Sequence, residues 1–330
     1  MLRNRLNQNM KDHIYLNANL HNITNKDIVA EYSVDIQEDY LPRSGDFYLS
    51  VIRFDIPNTL PIFDFKDNTY LVTLSYGGND YSEYVNYVRF DQTTDKQYIQ
   101  TFQHFLDLVN QALTTAFNNL KAANPAAPQT KEPYITYNSA TGLFSLWCER
   151  TYATNLANSI QIFFNDNLNK FFSPGFTMYK NGVNLPDGKD YRFRITDNDN
   201  NQREVGSPPV PYFEFVQEIE TLYQWYDFTN LVITTSDIPI AKEFKTFLTS
   251  GGESIQSPIL TDFIPFIGKD QSNFIYNANP YRLIDLDGNL PLKRFSFKIF
   301  WADRDGHEHY YMLPPGYSLS IKFGFFRKYI

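Results

Sequence analysis

Cysteine is almost absent from this chain: Cys148 is the one thiol among 330 residues. No disulfide can close within a copy, so a small fold stapled by bridges is excluded, and folding in a reducing compartment fits. An excess of positive charge is also missing. Lys and Arg total 29 against 37 Asp and Glu, a net charge of −8, which argues against binding to duplex nucleic acid. No apolar run reaches the roughly 18 residues that a membrane helix needs. The basic start of Met1–Lys11 is not followed by an apolar stretch, so it reads as a polar arm and not as a secretory signal. There is no glycine-rich phosphate loop, no βαβ alternation, no nucleophile elbow, no H-E-x-x-H and no fixed-period repeat.

Aromatic residues, by contrast, are abundant. Phe (29), Tyr (24) and Trp (3) make up 17% of the chain, and hydrophobic residues make up 42%. Phe and Tyr suit pleated, half-buried surfaces, so the excess points to strands. Alternation is visible at His13–Leu20, Val29–Gln37 and Phe47–Ile56, and Pro57 closes the last of these. Tyr70–Tyr76 and Tyr84–Phe90 read as a hairpin around Gly77-Gly78-Asn79-Asp80. A second hairpin joins Tyr134–Asn138 to Leu143–Glu149, and Tyr223, Trp225 and Leu231–Thr235 read as one long strand or two. Ile259–Pro265 and Asn273–Asn277 follow as short strands, and the last fifty residues run strand, turn, strand, turn, strand. One stretch has helical spacing: Phe102, Phe105, Leu106, Val109, Leu113, Ala116, Phe117 and Leu120 within Gln97–Lys121. Residues 180–210 are rich in turns, a candidate loop at a rim or interface. The sum is all-β: a sandwich, jelly roll or barrel of about a dozen strands with one amphipathic helix.

Residues that could carry chemistry are few. His307 and His309 share a face of a strand, near Asp303 and Asp305, which is metal-capable spacing. An exposed turn explains the same residues, and His13, His21 and His104 are remote in sequence. Asp303–Gly306 and Asp197–Asn201 begin like calcium loops but lack the glycine and glutamate at the required positions. Cys148 beside Trp147 reads as a packed, inert thiol. Glu214, Glu218 and Glu220 could line a glycosidase cleft, though solvated positions are the simpler explanation of them. No catalytic residue, metal or cofactor is expected.

Several segments then point to a family. They are Ile233-Thr-Thr-Ser-Asp-Ile-Pro239, Ile259–Pro265, Tyr281–Leu286, Pro291-Leu292, Phe297-Lys-Ile-Phe-Trp301, Leu313-Pro-Pro-Gly316 and Ile321–Lys328, with Phe105–Leu113, Pro133–Tyr137, Thr141–Leu146 and Ile162–Asn165 upstream. In this order they resemble the penton, or minor capsid, proteins of virophages and polinton-like viruses, over about residues 97–330. The resemblance implies a single jelly-roll β-sandwich with an inserted or flanking α+β region. It implies a structural virion protein, not an enzyme, assembled inside the host cell. Five copies would plug each fivefold vertex of an icosahedral capsid, as a homopentamer ringed by trimers of a double jelly-roll major capsid protein. No specific nucleic acid and no transmembrane segment are expected. The expected organisation is an N-terminal arm over 1–11, first jelly-roll strands over 12–96, the inserted α+β region over 97–215 and the remaining jelly-roll strands over 216–330. Interface contacts are expected from Arg3 and Arg5 in the arm and from Arg327 and Lys328 at the end of the last strand. The alternative is a host-attachment or carbohydrate-binding β-sandwich, of the spike or fibre kind, with an exposed aromatic platform.

Overall fold

A computed structural model describes residues 13–37, 40–89, 97–153, 158–181, 188–195, 202–205, 212–246, 254–264, 272–278, 282–304 and 306–328. The chain forms two compact units, one from Met1–Leu60 with Phe228–Ile330 and the other from Pro61–Asp227.

The first unit is built on eight principal strands: β1 (His13–His21), β2 (Glu31–Asp35), β3 (Phe47–Pro57), β4 (Phe228–Thr234), β5 (Ile259–Phe263), β6 (Asn273–Asn277), β7 (Arg294–Asp303) and β8 (Ser318–Arg327). One sheet has the order β1-β8-β3-β6 and the other β2-β7-β4-β5, with every pairing antiparallel. The first strand lies beside the last and the second beside the seventh, which is the double Greek key of a jelly roll.

The alternation along the strands builds the core. Phe295, Phe297, Ile299 and Trp301 of β7 are buried, as are Leu319, Ile321, Phe323 and Phe325 of β8. Rings of the two sheets meet edge to face: Phe295 and Phe323 at 4.6 Å, Phe54 and Phe263 at 5.2 Å. In β3 the alternation changes phase. Lys322 pairs with Arg53 but Phe323 with Val51, so Ile52 is the extra residue of a bulge. The bulge lets Phe47, Leu49 and Val51 share the core with Phe54 and Ile56.

The second unit packs helix α1 (Phe102–Ala123) and the short helix α2 (Asp166–Phe172) with two sheets around one aromatic core. Thr101 caps α1 by accepting the His104 N–H at 3.1 Å. A four-stranded sheet runs Gln202–Val205, Tyr212–Val216, Leu143–Glu149, Tyr134–Asn138. The last of these strands is an edge. Asn110 of α1 reaches its backbone, accepting the Ile135 N–H at 2.7 Å and donating to the Ile135 carbonyl at 2.8 Å. The helix thereby both covers the sheet and occupies part of its open edge.

The structure shifts four boundaries. The inserted unit begins at Pro61 and ends at Asp227, instead of spanning 97–215, because Leu71–Tyr76 pairs with Gln161–Phe164 inside that unit. The first hairpin returns at Asn79, not Tyr84: Tyr76 faces Asn79 across Gly77 and Gly78, both at positive φ. Two such residues are what a two-residue hairpin turn requires. The helix starts at Phe102, set by the Thr101 cap. Tyr223 belongs to a short 3-10 turn, Leu222–Gln224, and the strand starts at Phe228.

Candidate assembly surface

The outer faces of the two roll sheets differ in chemistry. On the β2-β7-β4-β5 sheet the outward side chains pair with one another: Lys298 with Glu31 at 3.2 Å, Arg294 with Asp237 at 3.6 Å and with the Ser33 hydroxyl at 2.7 Å, Arg282 with Asp262 at 3.5 Å. Such exposed pairs belong to a solvated face and contribute little to stability.

That side also carries one ring pair, Phe300 with the exposed Tyr310 at 4.9 Å, whereas the β1-β8-β3-β6 sheet presents a cluster of rings with a cation. Phe326 of β8 lies opposite His13 of β1 in register and touches it edge-on at 5.4 Å. Tyr15, 52% exposed, meets the same ring at 6.4 Å. Lys322 Nζ sits 4.7 Å above the Tyr15 ring, a cation–π contact that shields neither group from a partner. Tyr48 and Ile52 of β3 continue the patch, both partly buried. Ile275 on β6 is exposed beyond them. Arg53 and Asp55 separate Ile275 from Ile52 on this face, and Asp55 accepts from Asn273 at 2.6 Å, so the apolar cluster is His13, Tyr15, Tyr48, Ile52 and Phe326, with Lys322 at its margin.

The loops add apolar points at both ends of the roll. Asn22, fully buried, donates through Nδ2 to the Lys26 and Leu313 carbonyls at 2.7 Å each, and its N–H donates to the Tyr317 carbonyl at 3.0 Å. This clamp ties two loops together and leaves Ile23 85% exposed, with Tyr317 nearby in an exposed position. At the other end, the N–H of Ser44 donates to the Leu290 carbonyl at 3.1 Å, and Leu290 is 76% exposed.

Of the four expected interface residues, Arg3 and Arg5 lie outside the described residues. Arg327 ends β8, half-buried opposite Phe47. Lys328 is engaged within its own chain. Its Nζ pairs with Asp285 at 2.8 Å, donates to the Leu286 carbonyl at 3.3 Å and lies 5.0 Å above Tyr48, while its N–H bonds the Asp46 carbonyl. It fastens the end of the last strand. The more exposed patch beside it, Tyr15 with Lys322 and Phe326, carried a sequence signal in the alternation of His13–Leu20. Its partners came within reach only through the pairing of β1 with β8.

The other candidates resolve into structure. Asp303 accepts from the His307 N–H at 2.8 Å and contacts the rings of His309 at 2.9 Å and His307 at 3.3 Å, while His309 stacks on Trp301 at 4.2 Å. Burial alone would raise the Asp303 carboxyl. The hydrogen bonds and the two imidazoles outweigh it and hold the group below its ordinary value. Among the described residues no group of three His, Cys, Asp or Glu is arranged to hold a metal. Asp305 and Asp197–Asn201 lie outside the described residues. Cys148 is fully buried, and burial, then Glu149, pushes its thiol far above the reactive range. Glu218 and Glu220 are exposed, and Glu214 accepts from Ser145 at 2.8 Å. A cleft between Leu146, Phe176, Phe193, Arg194, Phe215 and Glu218 holds about 30 Å³, far less than the ~300–1,000 Å³ of small-molecule sites.

An eight-stranded roll with a large insertion between its third and fourth strands defines a jelly-roll protein. The comparisons with known proteins agree. The family model described as Sputnik minor capsid protein V18/19 matches residues 14–328. Structural protein V19 of the Sputnik virophage is 29% identical over 204 residues, 58% of this chain and 93% of that protein. A chain in the 3.5 Å cryo-EM structure of the Sputnik virophage superposes with a TM-score of 0.80 at 25% identity, covering 97% of this chain and all of that one. The crystal structure of the mavirus penton protein shares the fold, with a TM-score of 0.69 at 17% identity over 96% of this chain and all of that one. The chain belongs to the Sputnik minor capsid protein V18/19 family. It is a structural component of the virion and not an enzyme.

Proposed function

We propose that the chain is the penton of an icosahedral capsid, five copies closing a ring at each fivefold vertex, surrounded by trimers of a double jelly-roll major capsid protein. The observation that carries this reading is the end-to-end likeness in fold to the mavirus penton protein, which extends over 96% of this chain and all of that one. The surface chemistry supports it. A fivefold ring joins two different patches of each copy, so one face of the roll must be able to stay buried against a neighbour. Tyr15 and Phe326 are of the aromatic kind that interface cores favour, and Lys322 would belong to the polar rim.

The reading is tested by co-expressing the chain with its major capsid protein and reconstructing the particles. Density for the roll is expected at the fivefold positions, five copies per vertex. Particles whose vertices close without it, or that carry it only at other lattice positions, contradict the proposal.

A further inference from the structure

The β1-β8-β3-β6 sheet ends at β1 in an open edge. β1 pairs with β8 in unbroken register over its nine residues, from His13 opposite Phe326 to His21 opposite Ser318. Among the described residues no strand lies beyond it. An unpaired edge is a template for another chain, and folds blunt such edges with short strands, charges, proline, bulges or a covering element. Other edges of this molecule are blunted in these ways. β6 has five residues, β2 carries Glu31 and Asp35, and β5 carries Asp262 and meets β4 with a register shift. Asn110 occupies the edge of the insert's four-stranded sheet. β1, His13-Ile-Tyr-Leu-Asn-Ala-Asn-Leu-His21, has no Lys, Arg, Asp, Glu or Pro and no bulge.

The core row of β1 is also incomplete. Leu319, Ile321, Phe323 and Phe325 of β8 are at most 2% exposed. Of their partners Leu20, Ala18, Leu16 and Ile14, only Ala18 is buried, and the other three stay partly exposed. A further strand with apolar residues at alternate positions would cover them and pair the free backbone groups.

The chain carries such a segment. In Met1–Asp12, outside the described residues, Leu2, Leu6 and Met10 fall on even positions and Arg3, Arg5 and Lys11 on odd ones. An extended backbone puts the apolar side chains on one face and the cations on the other. Twelve residues are enough to span the nine of β1. The β1 of the same copy is a poor site for this segment. A two-residue turn at Lys11-Asp12 would set Leu6 opposite Asn17, on the outer face. A three-residue turn at Met10-Lys11-Asp12 would set Leu6 opposite Leu16, but that run has no glycine or asparagine to take a positive φ. The segment of a second copy needs no turn. β1 also carries Tyr15, part of the ring face that would lie against a neighbour.

We propose that Met1–Asp12 of a neighbouring copy adds as a strand to the free edge of β1, with Leu2, Leu6 and Met10 beside the core row Ile14, Leu16 and Leu20, and with Arg3, Arg5 and Lys11 turned outwards. The proposal rests on the penton reading only in that copies must stand side by side, and not in their number.

The test co-expresses two full-length, differently tagged chains with the major capsid protein. One chain carries Asn7→Cys, and the other carries Asn17→Cys or Asn19→Cys in turn. Asn17 and Asn19 are exposed on the outer face and Cys148 is buried. A short bismaleimide can therefore join the two chains only where the segment of one copy lies on β1 of another. Covalent pairs carrying both tags are expected. The double variant Asn7→Cys with Asn17→Cys should link into higher multimers. Deleting residues 1–12 should speed amide exchange in β1 of the assembled chain about tenfold or more. Absence of any link between copies overturns the proposal, as does linking confined within single copies of the double variant. Exchange in β1 unchanged by the deletion also overturns it, since another chain then covers the edge. The two readings fail separately. Five copies at a vertex without links remove the exchanged segment and keep the penton, whereas links in an assembly of another number do the reverse.

Discussion

A Cβ at position 324 would stand 2.7 Å from Ile52 Cδ1 and 2.9 Å from the Phe326 ring. Gly324 is therefore the gap into which the bulge residue Ile52 and the ring of Phe326 settle, and it sets the shape of the aromatic patch on the roll. Gly324→Ala should displace the Phe326 ring and Ile52 Cδ1, both free ends of half-exposed side chains, and cost up to about 1 kcal/mol. A loss of several kcal/mol, read from urea denaturation, would contradict this. Titration adds a second prediction. Burial, then Tyr137, pushes the phenol of Tyr226 up to about 12. An unfolded tyrosine ionises near 10, so above that pH the unfolded chain releases a proton that the folded chain retains. The contribution is complete below pH 10 and is lost as pH rises through about 12. In Tyr226→Phe the fall of stability between pH 10 and 12 should be shallower, as read from denaturation midpoints across that range.

Among the elements, α1 carries the clearest local logic and its supports can be removed one at a time. Thr101→Ala removes the cap and should cost about 1 kcal/mol. Asn110→Ala leaves both backbone groups of Ile135 without their side-chain partner and should cost about 1–3 kcal/mol, with faster amide exchange at Ile135 as the specific readout. The helix was legible in the sequence because its signal is local: eight apolar residues at helical spacing. The hairpin at Gly77-Gly78 was legible as a turn but not in register, since a two-residue and a four-residue turn share the same glycines. Tyr223 and Trp225 alternate like a strand, yet Trp225 is wholly buried just after a 3-10 turn, and tertiary packing overrode the local pattern. The contact surface was least legible. Tyr15 and Lys322 meet only because β1 pairs with β8 at the opposite end of the chain, a long-range fact that no window of sequence holds. Lys328, expected from sequence to make interface contacts, pairs with Asp285 of its own chain, a partner that the sequence did not reveal.

At the scale of the whole molecule, the roll is interrupted once, between β3 and β4, and the inserted unit completes its own core. An insertion of this kind leaves the strand order of the roll intact, because its two ends lie side by side, the Asp227 N–H donating to the Ile62 carbonyl at 2.9 Å. The segments that resembled one family lie inside the insert and after it, and the boundary drawn at 97–215 missed the first hairpin of the insert. If the ring face of the roll is an interface, a charge placed at its centre should prevent assembly without unfolding the copy. Tyr15→Asp should leave the melting temperature within a few degrees of the parent, since half of the side chain is exposed. It should also lose incorporation into co-expressed particles. Normal incorporation would remove this face from the contact.

The central claim, a ring of five, is tested most directly by the mass of the purified chain in light scattering over a wide concentration range. One copy is 38.6 kDa. The account predicts a species of 5 × 38.6 kDa, or about 193 kDa, that Tyr15→Asp disperses. A stable trimer, or a single copy at every concentration, would contradict it.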